Sequence, residues 1–346
     1  MGRLTLKDVA EACGLSRAAV SLVVQDSPRV SEQTKVRVRQ VMAEMGYVYD
    51  RAAANLRTRR SMTVGLIVTN VRNPYFAELS MAIEQGLQGA GYTLLQGYSY
   101  DELDKQRQLI SAMVEHRADG VIILPAAGSS PASLQMLKAS GTPHVLIARQ
   151  VKGYDADYTG ADNVRAGMLL GEHIVGLKPR SVAFVGGPVS STARKDRYRG
   201  LAKVLQQSGV TLSKQTQHTS ESTPSGGEQV MRSLFLEDGQ RPDVIVAYSD
   251  AVAVGVLHAL RDSSFRAGRD VAVASFDDVA DARYQEPPLT SVATFAEDVG
   301  GRAAQLLLAR IGDQERPFGS LIVNPELQVR QSTTLFKAAV SSDWRR

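Results

Sequence analysis

Arg17 carries the sharpest chemical possibility in the chain. It opens the run Arg17-Ala-Ala-Val-Ser-Leu-Val-Val24 directly after Ser16. A guanidinium at the start of a helix can meet guanine O6 and N7 with two parallel hydrogen bonds. Ala18 and Leu22 offer apolar contact suited to thymine methyl groups. The hydroxyls of Thr5, Ser16, Ser21, Ser31 and Thr34 are placed for phosphates. Such chemistry needs elements that hold these groups outward. Leu6, Val9 and Ala10 fall on one face of a first helix. Gly14 stands where that helix must stop and turn, in a backbone conformation glycine tolerates. Ser16 is suited to cap a second helix. A small residue at 10, glycine at 14 and a β-branched residue at 20 is the spacing of a DNA-reading helix-turn-helix. An ordinary helical hairpin in a core is the plainer alternative.

A third helix is expected over Glu32–Met45, with Val38, Val41, Met42 and Met45 on one face, Ser31 as its cap and Gly46 as its end. The following Ala52–Leu56 has high helix propensity and is too short to be stable alone in water. Residues 1–60 carry 11 Lys/Arg against 6 Asp/Glu, and the remaining 286 carry 29 against 30. All excess positive charge therefore sits beside the helix-turn-helix, as a polyanion-binding head on a neutral body requires.

The 346 residues are 43% hydrophobic, ample for a large core in two or three domains. The single cysteine, Cys13, excludes a disulfide framework and a thiolate metal site. The N-terminus lacks an apolar signal stretch and no run is long enough to span a membrane, so a cytoplasmic protein is expected. From Thr63 onward, apolar strand-like runs alternate with amphipathic helices. Strands are expected at Thr63–Val68, Thr93–Gly97, Gly120–Leu124, His144–Ala148, Ser181–Val185, Asp243–Ala247, Asp270–Ser275 and Thr290–Thr294. That alternation predicts an α/β class with doubly wound parallel sheets, here two lobes with a ligand at the strand ends between them. No HExxH, GxSxG or Walker A signature is present, and the five histidines lack ligand spacing. Gly86, Gly89 and Gly91 end a helix before a strand, the reverse of a dinucleotide turn. No catalytic residue, metal or cofactor is expected.

Read along its length, the chain strongly resembles the lactose-repressor family of bacterial transcription regulators. The resemblance rests on Leu6-Lys-Asp-Val-Ala-Glu-Ala-Cys-Gly-Leu-Ser16, Val20-Ser21, Val30-Ser31, Met45-Gly-Tyr47, Val64-Gly-Leu-Ile-Val68 and Asn73-Pro-Tyr-Phe76. It continues through Ala161-Asp-Asn-Val-Arg-Ala-Gly167, Arg197-Tyr-Arg-Gly-Leu201 and Ala274-Ser-Phe-Asp-Asp278. It implies a three-helix head over 1–47 and a hinge over 48–61. The first lobe would span 62–161 plus 292–322 and the second 162–291 plus 323–336, in the manner of periplasmic sugar-binding proteins, with a tail at 337–346. It implies a homodimeric repressor on palindromic operator DNA, controlled by a small sugar or sugar acid. A sugar transport receptor and a head-fused sugar enzyme are the rival readings; neither accounts for the basic head and the missing catalytic signature together.

The resemblance also places site residues. Hinge residues Ala53 and Leu56 would contact DNA, with Leu56 wedged in the minor groove. Arg197 and Asp277 would grip effector hydroxyls, with Phe276 and Tyr75 or Phe76 as apolar walls. Asn73, Asp162, Ser191 and Ser249 are further polar candidates. Arg149 follows a strand end where relatives often carry an acid one position earlier; Ala148 stands there. With Arg149, Arg194 and Arg197 near one another, a positive cleft and an acidic sugar are expected, the alternative being that Arg149 and Arg194 pair with surface acids. The helix from Pro74 to Leu87, with its stripe Phe76, Leu79, Ile83 and Leu87, is expected to contribute to the dimer face, while part of that stripe packs on its own sheet. No leucine heptads follow the core, so a dimer is expected and no tetramer.

Overall fold

The computed structural model describes residues 4–24, 26–47, 60–210, 212–237 and 241–336. These form two compact units, a head up to Ser61 and a body from Met62. In the head, α1 (Leu6–Cys13), α2 (Arg17–Val24) and α3 (Glu32–Glu44) pack around Val9, Ala10, Cys13, Val20, Val23 and Val38. Gly14 ends α1 at φ +66°, and Gly46 follows α3 at φ +64°, the left-handed conformation expected of both. Tyr47 closes the core from below the last turn of α3, its amide bonded to the Met42 carbonyl.

The body runs β1 (Thr63–Val68), α4 (Pro74–Gln88), β2 (Thr93–Tyr98), α5 (Leu103–Glu115), β3 (Gly120–Ile123), α6 (Gln135–Ala139), β4 (His144–Ile147) and β5 (Asp157–Ala161). It continues through α7 (Asn163–Gly176), β6 (Val182–Val185), α8 (Thr192–Gln207), β7 (Leu212–His218), α9 (Pro224–Arg232), β8 (Val244–Ala247), α10 (Asp250–Arg261) and β9 (Ala272–Asp277). It ends with β10 (Thr290–Ala293), α11 (Ala296–Gly312), β11 (Ser320–Val323), β12 (Glu326–Gln328) and α12 (Gln331–Thr334). Two six-stranded sheets result, ordered β11-β5-β4-β3-β1-β2 and β12-β10-β9-β8-β6-β7. Every pairing is parallel except β10 with β12. The central strands are buried on both faces, which explains their unbroken apolar runs.

The chain crosses between sheets three times: after β5, after β10 and after β11. Residues 292–293 pair with β9 and so belong to the second lobe, while Val323 pairs with Ala161 in the first. The second and third crossings therefore fall one to three residues beyond the boundaries expected at 291/292 and 322/323, because a strand finishes its ladder before the chain leaves its sheet.

Four strands lie outside the sequence expectation: β5, β7, β11 and β12. β5 reads Asp-Tyr-Thr-Gly-Ala and is wholly buried. Its Asp157 is neutralised by Arg310 on α11 at 2.8 Å and accepts the Gly319 amide at 2.7 Å. A buried carboxylate is tolerable only with such partners, and they come from 150 residues away in sequence. Most of the stripe on α4 packs inward, as expected of part of it. Leu79, Ile83 and Leu87 pack into their own lobe's core with Val299 and Ala303 of α11, and Phe76 is half-buried against the same core. The apolar groups left open nearby are Met81 on α4 and Leu95 on the edge strand β2.

Candidate DNA-reading face and interlobe cleft

In the head, Arg17 and Ala18 are exposed, and Ser21 and Leu22 half-exposed, while Val20 and Val23 of the same helix face the core. This division is what a reading helix needs. Ser16 caps α2, its Oγ accepting the Ala19 amide at 3.1 Å, and Ser31 caps α3 through the Thr34 amide at 3.3 Å. A serine used this way still has its own O–H to donate. Thr5 differs: its hydroxyl donates to Asp8 at 2.8 Å and its backbone amide donates to the same oxygen at 2.7 Å. The phosphate role expected of Thr5 thus competes with a complete capping box. Ser31 and Thr34 hydroxyls stand 2.9 Å apart. Sequence reasoning passed over Lys35, which is buried and holds Asp26 at 3.1 Å and Glu32 at 2.8 Å. Asp26 also takes Arg39 at 2.7 Å, pinning the turn after α2. Ala53, Leu56 and the rest of 48–59 in the expected hinge, like the tail from 337, lie outside the described residues.

In the body, a cleft of ≈ 590 Å³ opens between the strand ends of the two lobes. Arg197, projecting from α8, is its best-held group. Nε donates to Asn163 Oδ1 at 2.8 Å, Nη1 to the Tyr248 carbonyl at 2.6 Å and Nη2 to Asp277 Oδ1 at 3.0 Å. The guanidinium lies 4.9 Å from the Phe276 ring centre and 5.2 Å from that of Tyr248. Asn73, the cap of α4, reaches from the first lobe and donates to Asp277 Oδ2 at 3.1 Å. Burial raises the Asp277 carboxyl above the ordinary aspartate range, with Arg197 and Asn73 opposing the shift. Asp277 has φ +114° and Asp278 φ +54°, so the backbone itself is strained where the acid is presented.

Of the expected effector residues, Asn73, Tyr75, Phe76, Arg149, Arg197 and Asp277 line this cleft. The other five do not. Phe276 is fully buried beneath Arg197. Ser191 and Ser249 are buried caps of α8 and α10, and Asp162 caps α7. Arg194 points away, its Nε bonded to the Gly186 carbonyl at 2.8 Å and its guanidinium 5.1 Å from the Phe184 ring centre. Serine and aspartate before a helix serve the orphan amides first, which explains why they appear near the site without entering it.

The expected positive cleft is also corrected. Arg149 is clamped by both carboxylate oxygens of Asp101, with Nη2 at 3.1 Å from Oδ2, and Nη1 donates to the Pro125 carbonyl at 3.1 Å. Tyr100 and Asp101 adopt φ +54° and +62°, turning the chain after β2 so that the acid faces Arg149. The charged lining is then Asp101, Glu102, Glu221 and Asp277 against Arg72, Arg149 and Arg197. Asn163, Tyr248 and Thr294 complete the site. The Thr294 hydroxyl is buried with no hydrogen-bond partner among the described residues. Asn163 lies inside the quoted 161–167 motif and was within reach of sequence reasoning; Asp101 was not, since nothing local marks it as Arg149's partner.

Two glycines set Arg197's position. A Cβ at Gly167 would stand 2.1 Å from the Arg197 carbonyl oxygen, and one at Gly200 would stand 2.0 Å from that of Val164. The backbones of α7 and α8 therefore touch at the turn that launches Arg197.

Behind the cleft, Asp250 accepts Ser275 Oγ at 2.5 Å, Ser291 Oγ at 2.6 Å and the Val279 amide at 2.8 Å, joining β9, β10 and the segment after β9. Burial and the neighbouring Asp277 raise its pKa to about 7. An acid whose folded pKa exceeds its unfolded one binds more protons when folded, so its contribution weakens as pH rises toward about 7. Stability measured by urea unfolding is expected to fall between pH 5 and pH 8, and Asp250→Asn to flatten that fall. An unchanged slope in the variant would assign the pH dependence elsewhere.

A DNA-reading three-helix head and a two-lobed α/β unit with a polar cleft define a ligand-responsive transcription regulator. Comparison with known proteins agrees. Residues 5–50 match the family described as bacterial regulatory proteins, lacI family, and residues 172–333 match a periplasmic binding protein-like domain. The chain is thus similar to the lacI family of bacterial regulatory proteins in its head, and its curated relatives align with it over almost its whole length. It is 29% identical over 332 residues to the HTH-type transcriptional repressor PurR of Edwardsiella ictaluri, covering 95% of this chain and 96% of that one. With PurR of Mannheimia succiniciproducens it shares 27% identity, covering 95% and 98%. The solved complex of the transcriptional regulator CelR with cellobiose superposes with a TM-score of 0.72 at 28% identity, covering 95% of this chain and all of that one. The lac repressor dimer bound to operator and anti-inducer shares the fold at a TM-score of 0.83 and 23% identity, over 96% and 99% of the two chains. No helix among the described residues is long and apolar enough to cross a membrane.

Proposed function

We propose that this chain is a homodimeric transcription repressor that reads a palindromic operator with α2 and is controlled by a small sugar in the interlobe cleft. The observation that carries the reading is one chain holding both an outward Arg17 face and the Arg197–Asp277–Asn73 group bridging two lobes. It acts where operator DNA is, in the cytoplasm, and binds its sugar without turning it over. Selection of DNA sites from a random pool, repeated with and without sugars, tests this. A palindromic consensus whose occupancy a sugar changes supports it, and sequence-independent binding rejects it.

Arg17 is proposed to read guanine, Ala18 and Leu22 to meet thymine methyls, and Ser16, Ser21, Ser31, Thr34 and Thr5 to meet phosphates. Ala53 and Leu56 are proposed minor-groove contacts. Arg17→Ala is expected to cost about 1–3 kcal/mol on the selected site and relax one base position. Equal weakening on all sequences would make it a phosphate contact.

With Arg149 and Arg197 paired internally to Asp101 and Asp277, and four acids against three arginines in the lining, a neutral sugar suits the site better than a sugar acid. Calorimetry with matched pairs, such as glucose and gluconate, is expected to show binding among neutral sugars; binding confined to the acids would overturn this. Met81 and Leu95 are proposed to lie in the dimer face. Sedimentation of the full chain is expected to show a dimer, and Met81→Asp with Leu95→Asp a monomer.

A further inference from the structure

The connection from β9 to β10 opens with Asp277-Asp278-Val279-Ala280-Asp281, a valine set among acids. By composition this is a surface turn, and a valine in it would stand in water. Val279 is instead 5% exposed, and its seat is the core of the other lobe, the cluster that β1, α4 and α11 build. Both β9 and β10 belong to the second sheet, so the second lobe carries this side chain into the first. Ala282, three positions on, returns to the second lobe's own core.

Both lobes hold residues 277–280 by hydrogen bonds. On the second lobe, Ser291 Oγ accepts the Asp278 amide at 3.1 Å, and Arg330 Nη1 donates to Asp278 Oδ1 at 2.6 Å. Asp250 Oδ2 accepts the Val279 amide at 2.8 Å. These bonds fix a turn whose first two residues have φ +114° and +54°, a geometry that persists only where its surroundings over-determine it. On the first lobe, both partners stand on α4. Its cap, Asn73, donates to Asp277 Oδ2 at 3.1 Å, and Glu78 Oε1 accepts the Ala280 amide at 3.3 Å. Val279 lies between these two bonds. The segment is therefore rooted in one lobe and seated in the other, through contacts made by the chain's own residues.

We propose that residues 277–280 are a latch that holds the two lobes together independently of any ligand, with Val279 as its peg and α4 as its keeper. Asp277, the first residue of the latch, also lines the cleft. The latch does not depend on reading that cleft as a sugar site.

Disulfide trapping on the full chain, without added sugar, tests it. A Cβ at Gly128 of the first lobe would stand 3.8 Å from Ser190 Cβ of the second, the ordinary separation in a disulfide. Gly128→Cys with Ser190→Cys therefore forms a bond only while the lobes are together. Gly128 has φ +87°, a strain that the cysteine pair carries equally in every background. Cys13, buried in the head, stays in place. Trapping is followed in a thiol–disulfide buffer by counting free thiols. The cysteine pair alone is expected to be trapped readily. Adding Val279→Asp, which would bury an unpaired carboxylate, is expected to slow trapping about tenfold or more. Val279→Thr keeps the shape and adds a hydroxyl to the apolar seat, and is expected to slow it less. Urea unfolding of the reduced proteins separates lobe opening from loss of fold: a side chain that only fills the first lobe's core would lower stability and leave trapping of the folded protein unchanged. Trapping unchanged in both variants overturns the latch, and so does a cysteine pair that is not trapped at all. Should Val279→Asp fail to fold, Val279→Thr combined with Glu78→Ala decides, with slower trapping again expected and an unchanged rate overturning the proposal.

Discussion

Replacing Arg197 with alanine is expected to abolish sugar binding and to cost about 3–5 kcal/mol of stability. The reason is the completeness of its bonding. The guanidinium satisfies Asn163, the Tyr248 carbonyl and Asp277 at once, at 2.6–3.0 Å, between two aromatic rings. Without it, Asp277 is a buried acid held only by Asn73, and it is forced toward its neutral form. Arg197→Lys is expected to rescue little, since an ammonium cannot span three acceptors with a planar fork. Urea unfolding separates the stability loss from the binding loss. Calorimetry on the folded fraction reads the second. A variant that folds and binds sugar like the wild type would remove Arg197 from the site.

Gly200→Ala is expected to be as damaging although alanine is the better helix former. The added methyl would meet the Val164 carbonyl at 2.0 Å, and backbone cannot swing aside as a side chain can. Separating α7 from α8 to admit it costs about 3 kcal/mol or more, and it displaces Arg197 one turn earlier on the same helix. Gly167→Ala meets the Arg197 carbonyl at 2.1 Å and should behave alike. Gly176 provides the control. Nothing lies within 4 Å of a Cβ there, so Gly176→Ala is expected to be neutral or to stabilise by up to about 1 kcal/mol. Thermal or urea unfolding of the three variants checks the order. Similar stabilities in all three would mean the helices separate freely.

The head was largely legible because its determinants are local. Gly14, Ser16, Ser31 and the spacing of Val9, Ala10 and Val20 act within a turn or two of where they stand. Seven of the eight strands read from apolar runs were legible for a related reason: burial on both faces leaves an unbroken hydrophobic signature, whereas β2 lies exposed at a sheet edge. β5 was not, because Asp157 and Gly160 are strand residues only in the company of Arg310 and the Tyr158 ring. The α4 stripe shows the same limit from the other side. Periodicity identified its apolar face, and the packing of α11 decided which part of it is core.

The site divides along the same line. Arg197, Asp277 and Asn73 were nameable because their motifs survive as short local strings. Asp162 belongs to an equally visible string, and Ser191 and Ser249 stand directly before helices; each of the three spends a side-chain oxygen on a capping bond. The cleft's charge was decided by tertiary structure alone. Asp101 stands 48 positions from Arg149, and two successive left-handed residues aim it there. By itself the sequence determined what depends on neighbours within a few residues: helix starts and stops, apolar faces and the basic head. Only the tertiary structure decided which charges meet, because an ion pair's strength depends on distance and burial, and neither is a property of spacing along the chain.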